Sequence, residues 1–134
     1  MERISDESLI QHAWAARQAA CCAFSGFAVG AALEDAEGRI HTGCNVESSS
    51  YGLSCCAERV ALFMALAAGA REFSRIAVVT DAPKVCPPCG ACRQLLADYA
   101  PAVRVLMANA TERLDLDLSQ LYPYGFDQHF LAQP

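Results

Sequence analysis

Ile76-Ala77-Val78-Val79-Thr80, then Cys86-Pro87-Pro88-Cys89-Gly90-Ala91-Cys92, then Val103-Arg104-Val105-Leu106-Met107 follow one another in the second half of the chain. The first and last runs are short, apolar and rich in β-branched residues, as strands are. Between them a rigid loop at Cys86–Gly90 leads into a helix expected over Ala91–Tyr99. Upstream, Cys56–Ala68 reads as a helix ended by Gly69. Its residues Val60, Leu62, Phe63, Met64 and Leu66 spread around much of the circumference, which predicts deep burial. Asn45–Cys55 is a polar loop. Phe27–Glu34 reads as a strand, Asp35-Ala36-Glu37-Gly38 as a turn, and Arg39–Cys44 as the paired strand of a hairpin. Ser5 is a candidate N-cap, followed by first-turn acids Asp6 and Glu7. Leu9, Ile10, Ala13 and Trp14 then recur at helical spacing up to about Ala20. After Met107, Arg113–Asp117 reads as a short edge strand, followed by an aromatic tail. Strands alternating with helices predict one α/β domain spanning residues 1–134, a mixed sheet with helices on both faces.

Composition narrows the function classes. The chain has 134 residues and is 54% hydrophobic and 19% charged, which suits a globular domain able to build a core without disulfides. Its net charge is −5 and its pI about 5.0. Its ten Lys and Arg residues are scattered, whereas nucleic-acid binders carry a basic stripe. A small neutral ligand fits this balance, with no nucleic-acid partner expected. No apolar run approaches the ~18 residues of a membrane span, and the first residues lack the apolar region of a signal peptide. A cytoplasmic location follows as the expectation.

Eight cysteines are many for such a chain: 21, 22, 44, 55, 56, 86, 89 and 92. In a reducing compartment they serve as metal ligands, buried residues or reactive thiols. Cys56-Ala57-Glu58 opens one expected helix and Cys89-Gly90-Ala91-Cys92 opens another. Helix N-termini favour thiolate over thiol, so the two starts together offer Cys56, Cys89 and Cys92 to one Zn²⁺. Three protein ligands leave room for water, as catalytic rather than structural zinc sites do. Zinc lowers the pKa of that water toward about 7. Glu58, two residues after a ligand, is placed to move protons without being a ligand itself. Arg59 is placed to hydrogen-bond a ligand sulfur and offset the anionic charge; its other reading is an ordinary helix-surface arginine. A Cys-x-Glu followed by Pro-Cys-x-x-Cys is the signature of zinc-dependent deaminases.

The sequence resembles the short, three-cysteine cytidine deaminases over nearly its whole length. The resemblance is carried by Phe27-Ala28-Val29-Gly30-Ala31-Ala32-Leu33, Gly43-Cys44-Asn45-Val46-Glu47, Tyr51-Gly52, Cys56-Ala57-Glu58-Arg59, Pro88-Cys89-Gly90-Ala91-Cys92-Arg93-Gln94, Pro123 and Phe126. It implies a five-stranded sheet between helices, one zinc per chain, and hydrolysis of cytidine or 2′-deoxycytidine to the uridine and ammonia. It also implies a homotetramer with shared active sites. By the same resemblance, Asn45 and Glu47 bond the ribose 3′-hydroxyl and Phe27 lies beside the nucleoside. The Ala57 backbone and Glu58 read the pyrimidine edge, while Tyr51 and Phe126 reach across subunit interfaces. The chain departs from the family pattern at Cys21–Ser25, at Ser48-Ser49 and at Cys86-Pro87; the last two bear on substrate preference. Other readings stand beside these. Cys86-x-x-Cys89 is itself a Cys-x-x-Cys and would give a closed four-thiolate structural site. Asn45 could serve as a turn residue and Phe126 as tail packing. A related amine such as a blasticidin-like nucleoside is an alternative substrate, and a non-catalytic zinc module an alternative function.

Overall fold

In the computed structural model, residues 3–131 are described; the ends of the expected 1–134 domain, residues 1–2 and 132–134, lie outside the described residues. The elements run α1 (Asp6–Arg17), β1 (Val29–Asp35), β2 (Ile40–Cys44), α2 (Ala57–Ala67), β3 (Phe73–Thr80), α3 (Gly90–Tyr99), β4 (Arg104–Ala108), β5 (Arg113–Asp117) and α4 (Leu118–Leu121). The five strands form one mixed sheet in the order β2-β1-β3-β4-β5. Only β3 and β4 pair in parallel, with Ile76 opposite Val105 and Val78 opposite Met107, because α3 lies between them in the chain and carries it back across the sheet.

Helices cover both faces, as expected. Ala31, Leu33, Ile76, Val78, Val105 and Met107 are buried beneath Ala61, Leu62 and Ala65 of α2 and Leu96 of α3. The alternate residues Ala32, Ala77, Val79 and Leu106 are buried beneath Leu9, Ile10 and Ala13 of α1. Successive strand residues point to opposite faces, so a strand covered on both sides must be apolar at every position. That is why β3 and β4 show no polar alternation. The edge strand β5 is largely exposed and carries charges at both ends, a composition that discourages edge-to-edge pairing.

Two close approaches set the helix positions. A Cβ on Gly30 of β1 would lie 2.0 Å from the Ala13 carbonyl oxygen of α1, and one on Gly43 of β2 would lie 2.5 Å from Ala61 N and 2.6 Å from Ala57 O of α2. No side chain fits at either point, so both helices rest directly on strand backbone.

Several expectations shift. Ser5 caps α1, its Oγ accepting from Ser8 N at 3.0 Å, but that helix ends at Arg17 rather than near Ala20. The first strand begins at Val29 rather than Phe27, because the Asn45 side chain takes the Phe27 carbonyl and the Val29 amide. It runs on into Asp35, whose carboxylate then closes the turn by accepting from Glu37 N and Arg39 N, each at 2.9 Å. The expected deep burial of the Cys56–Ala68 helix is corrected. Ala57, Glu58, Ala61, Leu62 and Ala65 are buried, whereas Phe63 is 45% and Met64 59% exposed. One sheet covers one stripe of a helix, and among the described residues nothing covers Phe63 and Met64 to the same degree. Among the described residues, no helix is long and apolar enough to cross a membrane.

Candidate active site

Cys56 is the N-cap of α2 and Cys89 the N-cap of α3. In neither case does the side chain bond its own helix, unlike the serine or aspartate that usually stands there. Both thiols turn toward each other instead. Cys56 Sγ lies 3.7 Å from Cys89 Sγ, which lies 3.5 Å from Cys92 Sγ one turn into α3. All three sulfurs fall within 4.8 Å of one another. A tetrahedral ion bonded to sulfur at about 2.3 Å needs sulfurs about 3.8 Å apart, so the donor set fits zinc in both type and spacing. Three ligands are one fewer than a closed structural site uses.

The second row of groups supports this. Arg59 Nη2 donates to Ser54 O at 3.2 Å and lies 3.6 Å from Cys56 Sγ. Hydrogen bonding from Cys92 foremost, then from Arg59 and Cys89, holds Cys56 down at about 5 against burial that pushes the other way. Cys92 is pushed up, chiefly by its hydrogen bond to Cys56 and by its own burial. Of these two thiols, Cys56 is the more readily ionised. Glu58 sits in the first turn of α2, 5% exposed, and burial pushes its carboxyl up to about 7. A carboxyl with that affinity can both take and give a proton at neutral pH.

These groups open onto a cavity of about 370 Å³. Cys56, Ala57, Glu58 and Arg59 form its floor, with Phe27, Asn45, Glu47 and Tyr51 around it. The structure therefore gathers the residues singled out from the sequence, with two placed elsewhere. Cys92 is buried behind the cavity as the third sulfur. Phe126 lies apart, beside α3, where its ring stacks on Phe130 at 5.6 Å between centroids and its carbonyl accepts from Gln94 Nε2. Asn45 is buried and braces backbone. Its Oδ1 accepts from Val29 N at 2.9 Å and its Nδ2 donates to Phe27 O at 2.7 Å, which leaves one donor and one acceptor position on the amide. Cys86 and Pro87 also line the cavity, yet Cys86 stays outside the three-sulfur cluster. Val29, Ser54, Cys55 and Val78 are also part of the wall, and no sequence signal marked them for the site.

A mixed α/β sheet with three cysteine sulfurs at paired helix starts and a buried carboxyl beside them defines a mononuclear zinc hydrolase. The comparisons with known proteins place it further. The family described as the cytidine and deoxycytidylate deaminase zinc-binding region matches residues 3–108. The chain belongs to that family, and its cofactor is one zinc ion. It is 46% identical over 128 residues to a cytidine deaminase of Sporosarcina psychrophila, spanning 94% of each chain. It is 43% identical over 122 residues to a cytidine deaminase of Halalkalibacterium halodurans, spanning 90% of this chain and 92% of the relative. The crystal structure of cytidine deaminase from Burkholderia pseudomallei superposes with a TM-score of 0.89 at 43% identity, covering 92% of this chain and all of that one.

Proposed function

We propose that this chain is a cytidine deaminase: it hydrolyses the 4-amino group of cytidine or 2′-deoxycytidine to give the corresponding uridine and ammonia, in pyrimidine salvage in the cytoplasm. The observation that carries this reading is the juxtaposition of the three-sulfur cluster with buried Glu58 at the floor of one cavity. Residues 1–134 act as one catalytic domain, with zinc held by Cys56, Cys89 and Cys92.

When bound, zinc supplies the polarisation that makes water a nucleophile near neutral pH. The chain's own groups do the rest. Glu58 takes the proton of the attacking water as the bond to C4 of the pyrimidine forms, and delivers it to ring N3. It then carries the second proton to the exocyclic nitrogen as the C4–N4 bond breaks and ammonia leaves. The Ala57 backbone and Glu58 hold the pyrimidine edge, Phe27 flanks the nucleoside, and Asn45 and Glu47 receive the ribose 3′-hydroxyl. Arg59, bonded to Cys56, offsets the negative charge of three thiolates.

The direct test is incubation of the purified protein with cytidine, 2′-deoxycytidine, blasticidin S and free cytosine, followed by the ultraviolet change that accompanies deamination. Nucleosides are expected to turn over and free cytosine to lag by about 10⁴-fold. A site built to bond a hydroxyl strands its own polar groups when the hydroxyl is missing. Glu47→Ala is expected to erode that preference. Equal turnover of cytosine and cytidine overturns the ribose assignment.

The chain acts as a homotetramer. Phe63 and Met64 stand exposed on α2, the same helix that Cys56 caps and that carries Glu58, and Tyr51 is 81% exposed at the cavity mouth. Large apolar groups clustered on a surface mark a contact with another chain, and closed symmetric assemblies are the usual oligomers. Phe126, away from its own cavity, contributes to a neighbour's. Light scattering at assay concentration is expected to give four chains. Phe126→Ala is expected to raise KM with zinc content unchanged. A fully active monomer would rule out shared sites.

A further inference from the structure

The loop before β1 carries a hydrogen-bond arrangement that the deamination chemistry does not use. Glu47 Oε1 accepts from Phe24 N at 3.2 Å and from Ser25 N at 3.0 Å, and Ser25 Oγ donates to Glu47 Oε2 at 2.5 Å. The same Ser25 oxygen accepts from Phe27 N at 3.0 Å. Ser25 thus ties the carboxylate at one side of the cavity to the aromatic residue at another, and both Glu47 and Phe27 line that cavity. Gly26, with φ of +71°, lets the chain turn sharply between the two.

An ionised carboxylate has about four acceptor sites. Two on Oε1 and one on Oε2 are already filled from within the loop, which leaves Oε2 with a single site. A glutamate on an open loop would normally sample many rotamers and lose entropy on meeting a ligand. Here three donors fix its orientation in advance. They also keep it ionised: the Ser25 hydroxyl first, with the backbone amides of Ser25 and Phe24, holds Glu47 below its ordinary carboxylate range. An oriented anion with one vacant acceptor site suits one hydroxyl donor.

We propose that Ser25 is a positioning residue for the sugar of the substrate, holding the Glu47 carboxylate in the one orientation that receives a ribose hydroxyl. The inference rests on the nucleoside reading above, in which Glu47 meets the 3′-hydroxyl. Ser25 itself touches no reacting atom, so its effect falls on binding and sugar discrimination rather than on the proton transfers at Glu58. The hydrogen bond that it supplies is charge-assisted, a kind about twice as strong as a neutral one.

The test is steady-state kinetics of the zinc-loaded wild type, Ser25→Ala, Ser25→Thr and Ser25→Cys, each on cytidine and on 3′-deoxycytidine, with zinc content measured for every variant. The wild type is expected to favour cytidine in kcat/KM. Ser25→Ala is expected to raise KM for cytidine by about tenfold, with kcat and zinc content nearly unchanged, and to change 3′-deoxycytidine by less than about twofold. Ser25→Thr, which keeps the hydroxyl, is expected to restore cytidine binding. Ser25→Cys, close to serine in size but a weak donor, is expected to follow Ser25→Ala and keeps the test intact if the alanine variant folds poorly. Equal losses on both substrates, or a threonine variant no better than alanine, overturn the positioning role and leave Ser25 as loop structure. A wild type that handles the two substrates alike overturns the ribose reading itself, and the role of Ser25 with it.

Discussion

Glu58→Gln keeps the fold and the zinc and loses turnover by at least about 10²–10⁴-fold, the usual worth of general acid–base help. Two proton transfers fall to this one carboxyl, so the loss lies toward the upper end. Glutamine matches glutamate in shape, and the side chain is buried on α2, so the amide fills the same space. Burial pushes the native carboxyl up to about 7, so a neutral side chain at this point is no foreign guest. What the amide lacks is any capacity to take and return a proton. Nucleoside binding should persist, since the amide still offers a donor and an acceptor to the pyrimidine edge. The measurements are kcat by ultraviolet assay, zinc by elemental analysis and nucleoside affinity by calorimetry. Near-normal kcat in a zinc-replete variant removes Glu58 from the mechanism.

Serine at Cys56, Cys89 or Cys92 empties the metal site and abolishes activity, whereas serine at Cys55 or Cys86 leaves zinc at one per chain. The three sulfurs form the cluster, and serine is a far poorer zinc donor than thiolate at neutral pH. Cys86 supplies the sharp contrast. It borders the same cavity, and its thiol is pushed up, first by burial and then by the nearby negative charges of Glu58 and Cys56. Its sulfur lies outside the group of three that fall within 4.8 Å of one another, and that position sets it apart from Cys56, Cys89 and Cys92. Zinc content of the five single variants, measured after dialysis, decides the matter: loss of zinc in Cys86→Ser would falsify the ligand assignment.

The three-cysteine cluster was legible because its spacing states its geometry. Cys56 two residues before Glu58, and Cys89 three before Cys92, each at a helix start, carry the layout without any knowledge of the fold. The two-faced sheet was legible for a related reason: an unbroken apolar run such as Ile76–Val79 has few other uses. Asn45 shows where this kind of reading stops. Its part in bracing Phe27 and Val29 joins residues far apart in the chain, and no local pattern announces it. Ser25 is a sharper case, since a serine beside a glycine in a loop looks like ordinary turn chemistry. Only the fold brings Glu47 to it. Phe63 and Met64 failed in the other direction. Periodicity measures how apolar a helix is, but not how much of its circumference the rest of the fold covers.

Gly43 does not line the cavity, yet it lies against the Ala57 carbonyl, one residue from Cys56 and one from Glu58. The height of the α2 floor above the sheet is therefore a property of β2. A methyl group at Gly43 would clash with the α2 backbone at Ala57 and Ala61 and force that helix off the strand, while every residue lining the cavity kept its identity. One position away from the cavity wall thus sets where α2 starts relative to the sheet.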